Sequence, residues 1–297
     1  MPRRIVSLAP SITETLFALG VGDRVAGVTR FCLYPEAARA KPKVGGFYDP
    51  NYEAIVGLEA DLVILFPEHE KPRARLEALG IRTLAVDHRT IADILDSIRA
   101  IGGVCGEKER AEEMVRSIEA RLRAVAEKTR GLPKPRVMIS IGRSFGSGTL
   151  QEVYIAGSRT LYSEILVLAG GENVRPSVEI PFPIVSAEGI LRMDPDAIVD
   201  LVPGLRESGF APEALRREWE ALPGLRAARE GRVYLFEEDF VVIPGPRFAC
   251  LVENLARALH PEAAWDKPVQ APTGGGEGAS PRPSFSEGTG ESSTSGR

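Results

Sequence analysis

A unit of short helix, acidic turn and apolar strand occurs twice in this chain, and that repetition limits its architecture more than any other feature. Asn51-Tyr52-Glu53-Ala54-Ile55 leads into Leu58-Glu59-Ala60-Asp61-Leu62-Val63-Ile64. In the same register, Ser186-Ala187-Glu188-Gly189-Ile190 leads into Met193-Asp194-Pro195-Asp196-Ala197-Ile198-Val199. Each copy opens on a side chain able to cap a helix N-terminus and places a glutamate two positions on, where the helix dipole favours negative charge. Each then passes through an acidic turn into a buried-looking strand. Two such units imply two matched halves, with Glu53 and Glu188 as equivalent anchor points for another molecule.

The 297 residues, 43% of them hydrophobic, suffice for one large or two medium cores, and the duplication favours two. A formal net charge of -4 gives no electrostatic reason to expect nucleic acid or an anionic membrane as a partner. Cys32, Cys105 and Cys250 are far apart and odd in number, so neither a disulfide framework nor a structural zinc site follows. Cys105 and Cys250 lie in apolar company and read as buried packing residues. No apolar run approaches the roughly 18 residues needed to span a bilayer. Residues 1–4 lead directly into an apolar strand, so no export signal is expected in the chain as written.

Along the chain, strands are expected at residues 5–8, 25–28 and 82–86, with a helix between the first two opened by a Ser11/Glu14 capping box and another over 73–79. Strands alternating with helices over short connections argue a mostly parallel sheet, whose ligand crevice lies at the carboxyl ends of the strands. Those ends are residues 29–35, 67–69 and 87–88, with the Phe47-Tyr48 turn nearby, an aromatic rim with few charges. Residues 107–128 carry Ala111, Met114, Val115, Ile118, Leu122 and Val125 at helical spacing. Such a helix, roughly 33 Å long, suits a rigid strut between lobes; dimerisation as a coiled coil is the competing reading. A second half follows, with a strand over 136–141, helices over 162–168, near 212–219 and over 248–259, and a strand over 232–236. The glycine-rich residues 142–149 lack the spacing of a phosphate cradle and read as a flexible loop over the cleft, nucleotide binding being the weaker alternative. From Asp266 onward the composition is too poor in apolar residues to offset ordering entropy, and disorder is expected. The expected division is a first lobe over 1–104, a joining helix over 105–131, a second lobe over 132–265 and a tail over 266–297.

Arg4-Ile5-Val6-Ser7-Leu8-Ala9-Pro10-Ser11 with Thr13-Glu14, the Asn51-Tyr52-Glu53 and Ser186-Ala187-Glu188 pair, Ala60-Asp61-Leu62-Val63-Ile64 and Gly170-Gly171-Glu172-Asn173-Val174 together carry a resemblance. Over residues 4–259 the chain resembles the class III periplasmic binding proteins, the helical-backbone metal-chelate receptors of ABC importers, and among them the cobalamin-binding branch most. The resemblance implies an α/β fold of two similar Rossmann-like lobes joined by one long α-helix, with a shallow ligand cleft between the lobes, little hinge closure and a monomeric receptor. It also implies that Glu53 and Glu188 pair with arginines on the two subunits of an ABC transporter permease dimer. Without that partner, both glutamates would serve only as stabilisers of helix N-termini, worth about 0.3–1 kcal/mol each.

The same resemblance places Phe31 and Phe47 as first-lobe ligand contacts, beside Cys32 and Tyr48. It places Tyr154, Phe182 and Phe240 as second-lobe contacts, with Asp239 as a polar one. Stacked aromatics with few charges suit a corrinoid such as cobalamin, whereas an anionic siderophore would call for clustered Arg or Lys. Phe replaces an expected Trp at positions 47, 182 and 240, which leaves a haem or ferric-siderophore receptor as the alternative. Cys32, His69 and His88 have the chemistry to approach a metal centre from the first lobe, against the plainer reading of one packing residue and two loop residues. No nucleophile, base and orienting group assemble, so no enzyme is expected and no catalytic cofactor. The alternatives are a chelatase-like enzyme using His69 and His88, or a cytosolic corrinoid carrier. The resemblance implies a periplasmic or cell-surface location, and the missing signal a cytoplasmic one.

Overall fold

The computed structural model describes residues 1–146, 148–174 and 180–265. The tail expected to be disordered lies outside the described residues. The first half runs β1 (Ile5–Ser7), α1 (Pro10–Ala18), β2 (Val25–Val28), α2 (Glu36–Arg39), α3 (Tyr52–Gly57), β3 (Leu62–Leu65), α4 (Glu70–Ala78), β4 (Arg82–Ala85) and α5 (Ile91–Cys105). Its four strands form one parallel sheet in the order β2-β1-β3-β4. β1 and β3 are wholly buried, as strands covered on both faces must be.

The helix α6 (Lys108–Thr129) follows. The second half then runs β5 (Arg136–Arg143), β6 (Val153–Ile155), α7 (Leu161–Leu168), β7 (Glu172–Asn173), β8 (Ile184–Val185), α8 (Ala187–Met193), β9 (Ala197–Leu201), α9 (Leu205–Ser208), α10 (Pro212–Glu220), α11 (Arg226–Arg229), β10 (Val233–Phe236) and α12 (Phe248–Leu259). Its sheet has the order β10-β9-β5-β6-β8, with β7 also on β5. β5, β9 and β10 are parallel, and β6 and β8 add an antiparallel margin. The two repeats therefore feed different sheets: β3 belongs to the first and β9 to the second.

α6 packs between α5 of the first half and α12 of the second. Its stripe Ala111, Val115, Ile118, Leu122 and Val125 is buried, each large member contributing roughly 1.5–3 kcal/mol. Because that stripe is covered by the chain's own helices, the coiled-coil reading fails. Polar ties hold it to each half: Arg110 Nη1 donates to the Leu19 carbonyl at 3.2 Å, and Arg121 grips Glu253 through two bonds of 2.7 and 2.8 Å. One apolar core runs from Ile5 of β1 through α5 and α6 to Leu255 of α12.

Three local expectations need correction. α5 is a full helix over a stretch of the first half in which no element is expected from the sequence. Its signals are plain: Thr90 and Asp93 form a reciprocal capping box and Gly106 closes the helix at φ 76°. Ser11 and Glu14 do not form the expected box, because Pro10 already opens α1 with Ala9 as its uncapped N-cap; both side chains reach elsewhere. The glycine-rich loop is not free either. Gly142 and Arg143 belong to β5, while the Gly146 and Gly148 amides donate to Glu218 Oε1 at 2.9 and 3.2 Å. Glu218 is itself paired with buried Arg143, which also donates to Asp200 at 2.9 Å. Amides committed to a carboxylate offer nothing to a phosphate, so the nucleotide alternative fails; Ser147 lies outside the described residues.

Candidate ligand cleft

The paired anchors form as their sequences dictate. Asn51 Oδ1 accepts from the Ala54 amide at 3.0 Å and Ser186 Oγ from the Gly189 amide at 3.2 Å, capping α3 and α8. Glu53 and Glu188 are both exposed in the first turns of these helices. They differ in one respect: Glu188 Oε1 accepts from Arg192 at 2.7 Å one turn on, whereas Glu53 forms no ion pair with a described residue.

A cavity of ≈ 460 Å³ opens where the halves face one another. The second half supplies most of its wall, including Leu161, Tyr162, Phe182 and Phe240, and the first half contributes Glu68, His88 and Arg89. Of the sequence-derived contacts, Phe182 and Phe240 line it. Phe182 is 45% exposed, but Phe240 is 5% exposed and supports the wall from within the core. Phe47 packs against His69, Tyr48 and Phe66 at 4.6, 4.7 and 5.7 Å between ring centroids, and Phe66 meets His88 edge-on at 4.9 Å. This row of rings runs from the Phe47 turn to the cavity. Tyr48, Phe31 and Tyr154 are exposed on the surface outside the cavity wall.

Cys32 is placed otherwise than expected. It is fully buried, with its sulfur 3.1 Å from both Thr13 Oγ1 and Thr29 Oγ1. Burial pushes its thiol up, against the smaller opposing effect of those hydroxyls. A protonated thiol sealed in the core of the first half is no ligand contact. His69 is also enclosed: its Nδ1 accepts from the Phe66 amide at 3.0 Å and its ring stacks among Phe47 and Phe66. Burial lowers its pKa more than the Phe47 carbonyl and Glu68 raise it. His88 is held by Nδ1 to Ser11 Oγ at 2.9 Å, and burial lowers its pKa to about 4, so the ring is neutral across the physiological range. Cys32, His69 and His88 do not converge, and no group of three metal-binding side chains forms among the described residues.

A cluster that the sequence reading passed over joins the halves beside the cleft. Arg247, 4% exposed, donates through Nε and Nη2 to Glu14 at 2.9 and 2.5 Å, and through Nη1 and Nη2 to Asp239 at 2.8 Å each. Its guanidinium lies 3.7 Å from the Tyr34 ring centroid. Burial pushes the Glu14 carboxyl above the usual carboxylate range, offset in part by Arg247. Burial also opposes the charge on Arg247, but the bonds from Glu14 and Asp239 outweigh it and hold the guanidinium charged. Asp239 is therefore engaged by Arg247 and not freely presented to a ligand. The sequence signal was available: an arginine directly before the apolar run of residues 248–252 needs a buried acid somewhere else in the chain.

Comparison with known proteins agrees with this arrangement. The periplasmic binding protein family matches residues 5–240. An uncharacterized ABC transporter substrate-binding lipoprotein, YvrC, of Bacillus subtilis is 29% identical over 88% of this chain and 81% of its own. A vitamin B12-binding protein of Pectobacterium carotovorum is 29% identical over 87% of this chain and 89% of its own. Among solved structures, the apo form of the periplasmic heme-binding protein RhuT from Roseiflexus superposes with a TM-score of 0.74 at 26% identity, covering 89% of this chain and all of the other. The two-sheet α/β body, the repeated capped helices and the family match lead to one conclusion: this chain belongs to the periplasmic binding proteins, in the class III form that supplies ABC importers with substrate.

Proposed function

We propose that this protein captures a metal chelate, a corrinoid such as cobalamin foremost, outside the cytoplasm and hands it to the permease dimer of an ABC importer. The observation that carries the reading is the cleft wall: a cavity between the halves with Phe182 at its surface, Phe240 behind it and a mostly apolar lining, suited to the face of a large macrocycle. Relatives named for vitamin B12 binding support the corrinoid, and a relative named as a lipoprotein supports the extracytoplasmic location. Glu53 and Glu188 are the docking charges in this reading, exposed, preset by capped helices and repeated on both halves. The division into a first lobe over 1–104, a joining helix over 105–131 and a second lobe over 132–265 is part of the same proposal.

Haem is the second reading, favoured by Arg89 and Arg159 beside the cavity, where carboxylate arms of a planar ring would meet guanidinium groups. Calorimetric titration with cyanocobalamin and with hemin separates the two. Saturable uptake of the corrinoid alone supports the first, and of hemin alone the second. Metal insertion into a free macrocycle in the presence of the protein would instead make it a chelatase.

A further inference from the structure

The backbone itself holds His69 neutral. An amide can only donate, so the bond of 3.0 Å from the Phe66 amide to Nδ1 needs a lone pair there, and the ring carries its proton on Nε2. The ring is also a brace. It is 1% exposed, with Phe47 at 4.6 Å, Tyr48 at 6.3 Å and Phe66 stacked at 6.2 Å between ring centroids. Phe66 directly follows the buried strand β3 and lies edge-on to His88 of the cavity wall, so one side of this stack is fixed. The other side is the turn of residues 45–50, closed by the Gly45–Pro50 bridge, whose Tyr48 stands in solvent.

We propose that His69 is a positioning residue of the cleft: its neutral ring braces the Phe47 turn, and protonation of that ring loosens the turn and weakens the hold on the chelate. The inference rests on the reading of the cleft as a chelate site with Phe47 on its first-half side. A solvent proton adds at the Nδ1 lone pair and displaces the bond from the Phe66 amide; nothing else is transferred. The ring then points an N–H at an N–H, the buried amide is left unpaired, and a cation stands between Phe47 and Phe66. Relief comes from the side that can give, which is the exposed turn. Glu68 beside the ring and the Phe47 carbonyl favour the cation, but burial outweighs both. The other charges on the surrounding elements are exposed: Glu70 and Lys71 on α4, and the Arg30–Asp49 pair at the turn. The hold on the chelate is therefore full above pH 6.5 and is lost as pH falls through the lower value that burial gives the folded protein.

The test uses the full chain with cyanocobalamin and hemin as probes. Long-range proton–nitrogen correlation spectra of the free protein should show His69 neutral, with a bare Nδ1, at neutral pH. Titration calorimetry should show the wild-type affinity for the probe it takes up falling about tenfold or more as His69 protonates below pH 6.5. By linkage, a loss of about tenfold requires saturating probe to move the His69 midpoint down by about one pH unit, gallium protoporphyrin standing in for paramagnetic hemin. H69N keeps an acceptor for the Phe66 amide and has nothing to titrate. It should bind at neutral pH with about wild-type affinity and lose the fall; the ratio of the two affinities cancels any titration of the probe. Should H69N fail to fold, the midpoint shift in the wild type decides alone. Affinity that stays flat while His69 protonates, a midpoint that ignores the probe, the same fall in H69N, or unfolding of the wild type as the ring protonates overturns the proposal and leaves the receptor reading standing. If the wild type takes up neither probe at neutral pH, the chelate reading falls, and the proposal with it.

Discussion

Arg247 shows how one residue can connect the halves. Its guanidinium serves an acid on α1 and another just before α12, 233 positions and eight positions away in sequence. A buried ion pair gains little over well-packed apolar groups, but removing one partner leaves a charge without compensation, at about 3–5 kcal/mol. R247M should therefore lower stability by about that amount in urea titration, while E14Q, which leaves Arg247 its bond to Asp239, should cost less. Equal effects would mean that Asp239 does not hold the guanidinium.

His88 makes a second residue-scale prediction. Its folded pKa of about 4 lies below the ordinary value of 6.5, so the unfolded chain binds a proton that the folded one refuses. The stability that His88 contributes is full above pH 6.5 and is lost as pH falls toward 4, up to roughly 3 kcal/mol. Glu14, with its raised pKa, acts in the opposite direction, but it is present in both proteins when wild type and H88Q are compared. The difference between their urea stabilities should shrink toward zero or reverse between pH 7 and pH 4. A difference that is flat with pH would place His88 in a solvated setting.

At the scale of elements, the repeated units predict a separation of folding from docking. E53Q and E188Q should leave urea stability and chelate affinity nearly unchanged, since both carboxylates are exposed and the Glu188–Arg192 pair is a surface one worth about 0.3–0.5 kcal/mol. Stimulation of the importer's ATPase should fall in each. Glu188 must release or share Arg192 to dock while Glu53 need not, so E53Q should be the more damaging. A marked loss of thermal stability in either variant with docking intact would assign the carboxylates to the helices alone. In α6, I118A removes a buried side chain from between α5 and α12 and should cost about 2–5 kcal/mol. In the cleft, F182A is the clean probe of ligand stacking. F240A would also open the core, so a loss of binding there would mix two effects.

How much of this was legible in the sequence depended on whether a signal was local. The caps at Asn51 and Ser186, the buried stripe of α6 and the apolar strand β3 follow from spacing and side-chain type within one element. The glycine loop was misread because its partner Glu218 lies more than two elements downstream, and Ser11 and Glu14 were misread because a local motif lost to tertiary partners. Cys32 and Tyr48 neighbour the candidate aromatics Phe31 and Phe47 in sequence, yet one faces inward and the other outward; only the backbone path decides that.

At the scale of the whole molecule, apolar and polar ties join the two halves. The largest apolar cluster reaches from the first sheet through α6 to the second, and the Glu14–Arg247 and Arg121–Glu253 pairs tie α1 and α6 to α12. The Ile91 amide adds a bond of 2.9 Å to Glu164, joining α5 to α7. Opening such a body by a hinge would expose apolar surface at about 25 cal/mol per Å², so the radius of gyration in X-ray scattering should be the same with and without chelate. The central claim, that the cleft between the halves is a chelate site, is tested most directly by isothermal titration of wild type and F182A with cyanocobalamin and hemin. The account predicts saturable binding of one of them by the wild type and an affinity about tenfold or more lower in F182A; saturable binding that F182A leaves unchanged, or no binding of either, would contradict it.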